Sequence, residues 1–212
     1  MDTSALQAPR HRAIVVVDIE GSTTRTNPAR AELRAVLFDL LDEAFRAAGI
    51  TDGSRDAFVD RGDGALCLVH PVDEAPKTVL LAAVVPALAV LLGRHADERP
   101  ELAFRLRVAL HAGEVHYDAH GPYGEDIDIA CRLLDAPEVR RRLRNSSGPL
   151  ALVVSHEIHR SVVRHGYAGI DRSAFTRVLH VRVGGQRRRG WIRTTEAFPV
   201  ADPDRPDAGL TA

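Results

Sequence analysis

The chain begins with an apolar run that ends on an acid. Residues 13–19, AIVVVDI, are almost all β-branched or apolar, which predicts a strand buried on both faces. Apolar positions then recur at helical spacing over 33–45, which predicts an amphipathic helix. Asn27 as the N-cap with Pro28 at the first helical position provides its start, and Gly49 its end.

Turn residues and apolar runs predict the next elements. Two short strands, about 56–60 and 65–70, flank the Asp-Gly step of DRGDG, which is a hairpin signal. The apolar run at 79–92 contains Pro86 and follows Asp73, which we expect to cap a helix. Because this run has only 14 residues, it is too short to span a bilayer, so we expect a buried helix and no membrane segment.

The second half alternates between strand and helix patterns. A long strand is predicted in LAFRLRVALHAGEV, followed by helices in GEDIDIACRLLDAP and EVRRRLRN. LALVVS predicts a further strand whose last residue, Ser155, caps the helix HEIHRSVV. RVLHVRV and GWIRT predict a final hairpin around GGQRRR. We expect one domain at 12–197, an N-terminal extension at 1–11 and a disordered tail at 198–212.

Composition narrows the class of protein. The chain has 212 residues, 45% hydrophobic, and a net charge of −1, which fits one globular domain and gives no general affinity for nucleic acid. Lys77 is the only lysine. Cys67 and Cys131 lie in apolar segments, and the N-terminus lacks an apolar signal region, so we expect a reduced, cytoplasmic protein.

Two acids stand where the predicted strands end. Asp18 closes the first strand and Asp63 lies in the hairpin tip; if the two strands are neighbours, both carboxylates reach one sheet edge. Two carboxylates and a backbone carbonyl suit Mg²⁺ or Mn²⁺. Ser22 and Thr23 follow as a phosphate-binding turn. Alternatively, Asp18 caps a turn and Asp63 serves only to form the hairpin.

Together these segments resemble a known family, the class III nucleotide cyclases. The resemblance rests on VVVDIEGSTTR, DRGDGALCLV, LRVALHAGEV, YGEDIDIACRLL and LVVS, in that order, and covers about residues 12–193. It implies an α+β fold in one domain, with a mostly antiparallel sheet flanked by helices. It also implies a homodimer whose active sites form head to tail between the two copies.

The resemblance also assigns roles to residues. Asp18, Asp63 and the backbone carbonyl of Ile19 would bind two Mg²⁺ or Mn²⁺ ions, and Arg132 of the other copy would stabilise the transition state. The implied reaction is attack of a ribose 3′-hydroxyl on the α-phosphate of a nucleoside triphosphate, with pyrophosphate as the leaving group.

Base recognition departs from the family pattern. Val59 stands where the adenylate cyclases have a purine-reading lysine, and Gly121 where they have a second base-reading group. Asp128 replaces an asparagine four residues before Arg132. These changes favour a pyrimidine cyclase, which forms cUMP or cCMP and is similar to bacterial antiphage enzymes. A purine cyclase and an inactive nucleotide-binding homologue are the alternatives.

Two further groups of residues are candidates for binding. His116, Asp118 and His120 would share one face of a strand, as a zinc site or as a solvated hairpin arm. Arg188, or its neighbour Arg187 or Arg189, lies where the family often places a basic residue for the terminal phosphates. The RRRLR segment at 140–144 is either a solvated helix face or a phosphate contact, and we expect HEIHR to present its histidines on an exposed helix face.

Overall fold

A single sheet organises the part of the chain that the computed structural model describes, residues 8–194. Its strand order is β2-β3-β1-β4-β6-β8-β7, with β5 paired to β4. Only β4 and β6 run parallel; every other described pair is antiparallel. The predicted α+β class with a mostly antiparallel sheet is therefore confirmed. The strands are β1 Arg10–Ile19, β2 Val59–Asp60, β3 Gly64–Val69, β4 Leu106–Asp118, β5 Gly121–Tyr123, β6 Leu150–Ser155, β7 Arg177–Val183 and β8 Gln186–Thr194.

Helices cover both faces of the sheet. Strand β6 shows the division, because Leu152 belongs to one buried cluster while Val153 belongs to the other. Helices α1, α2 and α5 pack on the first face, and α3 and α4 on the second. The helices are α1 Asn27–Ala47, α2 Lys77–Glu98, α3 Glu125–Leu134, α4 Pro137–Arg144 and α5 His156–Ser161.

Two of the three predicted helix N-caps lie at different residues in the structure. Thr26, not Asn27, is the N-cap of α1, and Pro76, not Asp73, is the N-cap of α2. Both residues have extended backbone, with ψ of 156° and 153°, which is the conformation of an N-cap. The cap at Ser155 is confirmed, since its side chain accepts a hydrogen bond from the amide of Ile158.

Helix α2 is longer than its apolar run. It extends over 22 residues and is the one described helix long and apolar enough to cross a membrane by length and composition. The prediction of a segment too short for a bilayer was therefore wrong in length, while its burial is confirmed: Leu81, Val84 and Leu88 lie in the core. A π-helical turn at Leu80–Val84 precedes Pro86, whose missing N–H interrupts the α-helical ladder.

The ends of the domain also shift. Strand β1 begins at Arg10, inside the predicted N-terminal extension, and residues 186–189 belong to β8 rather than to a turn. The predicted tail at 198–212 lies outside the described residues.

A buried histidine ties the sheet to two helices. His111 of β4 is 1% exposed, its Nε2 lies 2.9 Å from Asp126 of α3, and its Nδ1 lies 3.3 Å from Glu157 of α5. Burial opposes protonation, yet the two carboxylates raise the pKa of His111 above its usual range. In return, the contact with His111 lowers the pKa of Glu157 to about 2. A histidinium between two carboxylates thus fixes the start of α3 on the sheet.

We expect His111→Gln to lower the free energy of unfolding by about 2 kcal/mol near pH 6, because two carboxylates lose the cation between them. The loss should shrink at higher pH, since folded His111 deprotonates there, and also as the pH falls from 4.5 toward about 2, where Glu157 becomes protonated. Urea unfolding across this pH range measures the effect. The exposed His120 provides the control variant His120→Gln; a loss independent of pH would contradict the buried ion pair.

Candidate functional site

Three strands bring the two predicted metal acids together. The register of the sheet pairs Asp18 of β1 with Gly64 of β3 on one side and with Arg107 of β4 on the other. Asp63 immediately precedes β3, and its carbonyl accepts a hydrogen bond from the amide of Ile19 at 2.9 Å. The two acids therefore lie at one edge of the sheet, as the sequence predicted.

Close backbone contact at Gly64 makes this approach possible. A Cβ atom at Gly64 would collide with the carbonyl oxygen of Val17 and press on the Cα of Asp18. Only glycine allows β3 to pass this near to β1. The second glycine of the DRGDG segment thus sets the distance between the two acidic positions.

An arginine that the sequence analysis did not identify pairs with the first acid. Arg107 is 9% exposed; its Nε donates to Asp18 Oδ1 at 2.7 Å and its Nη2 to Asp18 Oδ2. Burial raises the pKa of the Asp18 carboxyl to about 6, Arg107 acts in the opposite direction, and Asp63 adds to the rise. The site therefore holds more buried negative charge than one guanidinium fully compensates.

Arg107 also has an unused donor. Its Nη1 is buried and has no hydrogen-bond partner among the described residues, although buried donors are almost always paired. Arg107 lines the same cavity as Asp18. The pair with Asp18 therefore leaves part of the hydrogen-bonding capacity of this guanidinium unused at the cavity wall.

The cavity has a volume of about 530 Å³, within the range of small-ligand sites. Five of the predicted site residues line it: Asp18, Ile19, Ser22, Thr23 and Asp63. The other lining residues are Glu20, Gly21, Arg107, Asp135, Arg140 and Arg144. Acids and arginines thus line one pocket at the end of β1.

The turn after β1 is used differently from the prediction. Gly21 adopts a φ of 67° and starts a short 3₁₀ turn, Ser22–Thr24. The hydroxyl of the buried Ser22 donates to the carboxylate of Asp63, so Ser22 orients an acid rather than offering its proton to a phosphate. Thr23 is exposed at the cavity wall.

The remaining predicted residues lie away from this cavity. Asp128 and Arg132 are exposed on α3 and line neither cavity beside Asp18, whereas Cys131 and Asp135, near the end of the same helix, line a cavity with Asp18. Gly121 belongs to β5, which pairs with the distal end of β4. One described chain therefore does not bring Arg132 to the acids.

Val59 and Arg188 also fall outside the cavity. Val59 packs at the margin of the core under α3. Arg188 forms an ion pair with Glu125. The sheet register aligns Trp191 of β8 with Val15 of β1. Arg188 lies three residues from Trp191 toward one end of the strands and Asp18 lies three residues from Val15 toward the other end, so Arg188 and Asp18 are about 20 Å apart along the strand direction alone. Arg187, Arg188 and Arg189 line a separate cavity with His156 and Glu157.

The histidine-rich segments do not form a metal centre in the described part of the chain. His116 stacks on Tyr123 of β5, and Asp118 and His120 are exposed at the tip, which is the solvated hairpin arm of the prediction. Among residues 8–194 no three His, Cys, Asp or Glu side chains group around a metal position. The prediction for HEIHR was wrong for His159, which is half-buried and stacks on Trp191 with ring centroids 4.0 Å apart, whereas His156 is exposed as predicted.

A hard cation fits the pair of acids. Asp18 and Asp63 supply carboxylate oxygens from adjacent chain segments, and Ile19 lines the same cavity. The raised pKa of Asp18 shows that this buried charge lacks full compensation. Oxygen ligands of this kind bind Mg²⁺ or Mn²⁺ through one or two carboxylates, with substrate phosphates and water completing the shell.

Comparison with known proteins identifies the fold of the described chain. No family model and no curated protein matches the chain. Among solved structures, the guanylyl cyclase Cya2 is similar at 15% identity and a TM-score of 0.61, over 90% of this chain and 95% of that one. The adenylyl cyclase CyaB from P. aeruginosa is similar at 12% identity and a TM-score of 0.56, over 90% and 98%.

A third structure agrees with these two. The adenylate/guanylate cyclase/hydrolase from Silicibacter pomeroyi is 17% identical, with a TM-score of 0.55, over 88% of this chain and 97% of that one. At such identities the likeness establishes the fold alone. The described chain is a single α+β domain with the fold of class III cyclase catalytic domains.

Proposed function

We propose that this protein is a nucleotide cyclase, which converts a ribonucleoside triphosphate to a 3′,5′-cyclic nucleotide and pyrophosphate. One observation carries the proposal: Asp18 and Asp63 line a single cavity together with Arg107, Arg140 and Arg144. Paired carboxylates suit a metal ion and guanidinium groups suit a phosphate. The fold shared with solved cyclases supports the same activity.

Asp18, Asp63 and the carbonyl of Ile19 would hold two Mg²⁺ or Mn²⁺ ions. Such ions, when bound, lower the pKa of the attacking 3′-hydroxyl and neutralise the departing pyrophosphate. In the reaction the ribose O3′ forms a bond to the α-phosphorus and loses its proton, while the bond from that phosphorus to the bridging β-oxygen breaks. The hydrogen bond from Ser22 holds the Asp63 carboxylate in place.

Arginines stabilise the phosphoryl charge. Arg107 lines the cavity beside Asp18, so its positive charge would attract a phosphate there. Arg132 is exposed on α3 and lines neither cavity beside Asp18, so it would serve the cavity of a second copy, together with Asp128. Arg188 lies far from Asp18 of its own chain, so it too would contribute to the cavity of a second copy. We therefore propose a homodimer with two composite sites, each drawing residues from both copies.

Base recognition in this proposal favours pyrimidines. Val59 has no hydrogen-bonding group, and Gly121 has no side chain. Such a pocket selects by shape, so UTP or CTP competes with or exceeds ATP as substrate. Synthesis of cUMP or cCMP as an antiphage signal in the cytoplasm is the biological role we propose. The free thiols of Cys67 and Cys131 agree with a reducing compartment.

A second candidate function has its own observation. Arg107 already pairs with Asp18 through two hydrogen bonds, so Asp18 has a partial counter-charge without a metal ion. This favours a nucleotide sensor that binds without turnover. Incubation of purified protein with each of the four ribonucleotides and Mn²⁺, followed by a pyrophosphate assay, separates the two functions. Release from any nucleotide supports the cyclase, and binding without release supports the sensor.

We expect Asp63→Asn and Asp18→Asn each to reduce turnover to below about a hundredth of wild type, because each removes a charged metal ligand. Asp63→Asn is the cleaner variant, since Asp18→Asn also deprives Arg107 of its counter-charge. Thermal melting reports folding, and Asp97→Asn, an exposed acid of α2, is the control. More than a tenth of wild-type activity in either variant would remove that residue from metal binding.

Mixing two inactive variants tests the shared site. Asp18→Asn and Arg132→Ala, each inactive alone, should together recover up to about a quarter of wild-type activity, because a heterodimer retains one intact composite site. Subunit exchange is followed by mass spectrometry of the mixture. Absence of recovery despite demonstrated exchange would show that one copy supplies both residues.

The base preference is tested by kcat/KM for ATP, GTP, CTP and UTP. We expect no strong preference for ATP, because the ~10⁴-fold discrimination of a hydrogen-bonding pocket needs polar groups that Val59 and Gly121 lack. Asp128→Asn should change the order of the four nucleotides more than it changes the metal requirement. A wild-type preference of about a hundredfold for ATP over both pyrimidine nucleotides would contradict the proposal and favour a purine cyclase.

A further inference from the structure

Helix α4 presents two arginines to the cavity of the metal acids. Arg140 and Arg144 are separated by four residues, so they project from one side of the helix, and both line the cavity that contains Asp18 and Asp63. The neighbouring positions Val139 and Leu143 are fully buried against the sheet. The two arginines therefore flank the packed face of α4 and extend over the cavity.

The anchoring of α4 makes this placement specific. Arg105 donates from Nη1 to the carbonyls of Leu143 at 3.0 Å and Ser146 at 2.8 Å, and from Nε to Glu20 at 2.8 Å. Glu20 itself lines the cavity. Arg105 thus binds the C-terminal end of α4 to the segment that follows Asp18.

The charge of these arginines is largely available to a ligand. Arg140 pairs with Asp135 at 3.0 Å, but both side chains are 53% exposed, and exposed pairs contribute little. Arg144 has no ion pair or side-chain hydrogen bond to another described residue. Together with Arg107, three arginine side chains line a cavity whose acids Asp18 and Asp63 suit a cation.

A ligand that pairs with all of these arginines carries several negative charges along its length. A polyphosphate chain does so, because each phosphate offers oxygens to guanidinium donors while bridging oxygens to metal ions. We propose that Arg140 and Arg144 form a binding subsite for the terminal phosphates of the substrate and for the pyrophosphate that leaves. The subsite deepens the proposed cyclase function and rests on it.

The subsite has a consequence for assembly. Arg107, Arg140 and Arg144 belong to the same chain as Asp18 and Asp63, so one copy holds the polyphosphate end of a nucleotide without its partner. This distinguishes them from Arg188, which lies about 20 Å away along the strand direction and pairs with Glu125. Affinity for the polyphosphate is then independent of the groups that contact the base.

Calorimetric titration with inorganic tripolyphosphate and Mg²⁺ tests the subsite without turnover. The double variant Arg140→Ala/Arg144→Ala should bind at least about tenfold more weakly than wild type, the loss expected when charge-assisted hydrogen bonds are removed. The matched control is Arg141→Ala/Arg142→Ala, which removes the same charge from the same helix at positions outside the cavity. It should change the dissociation constant by less than about twofold.

Equal affinities in the two double variants, or no tripolyphosphate binding by wild type, would overturn the subsite. These outcomes are distinct from failure of the proposed function. Selective loss in the Arg140/Arg144 variant without pyrophosphate release from any nucleotide supports the subsite and rejects the cyclase. Turnover by wild type with equal affinities in both variants rejects the subsite and leaves the cyclase. In an active enzyme the Arg140/Arg144 variant should also raise KM for all four nucleotides by a similar factor, since the subsite does not contact the base.

Discussion

The pairing of Asp18 with Arg107 across β1 and β4 is the constraint on which the site depends. Both side chains lie near one end of their strands, next to buried apolar residues, where an unpaired charge would be costly. The antiparallel register places them directly opposite each other, so each compensates part of the burial of the other. Asp63 adds a second carboxylate to the same cavity, so this cavity combines carboxylates, which suit a cation, with a guanidinium, which suits an anion.

The sequence predicted the parts of the site that local patterns encode. An acid at the end of a β-branched run identified Asp18, and a glycine-rich turn identified Asp63; the structure places both in one cavity. Arg107 was missed because it lies within the predicted long strand, and a polar residue there has no local signature. Its significance comes from the pairing of residues 89 positions apart, which depends on sheet register rather than on composition. The pairing of Asp18 with Arg107 is therefore a property of the tertiary structure that local sequence patterns do not show.

Helix α4 also shows the limit of prediction from local sequence. Its sequence, PEVRRRLR, left open whether the arginines are solvated or contact phosphate. Packing distinguishes the residues: with Val139 and Leu143 buried, Arg140 and Arg144 line the cavity while remaining exposed, and Arg141 is exposed outside it. Similarly, the caps predicted at Asn27 and Asp73 shifted because ψ near 155° occurs at Thr26 and Pro76 instead. Residue preference indicates a helix start, while backbone conformation decides its position.

The distribution of charge along the sheet separates two tasks. At one end, a single chain collects four acids and three arginines in one cavity, which in the proposed enzyme holds the metal-bound polyphosphate. At the other end, the buried ion pairs of His111 fix α3 on β4, and Asp128 and Arg132 are exposed on this anchored helix. Exposed charges on a fixed helix contact a second molecule without a cost for ordering the helix. A flexible helix would lose part of the binding free energy to that ordering. In the proposed enzyme, phosphate binding is therefore a property of one chain, and catalysis on the α-phosphate requires two.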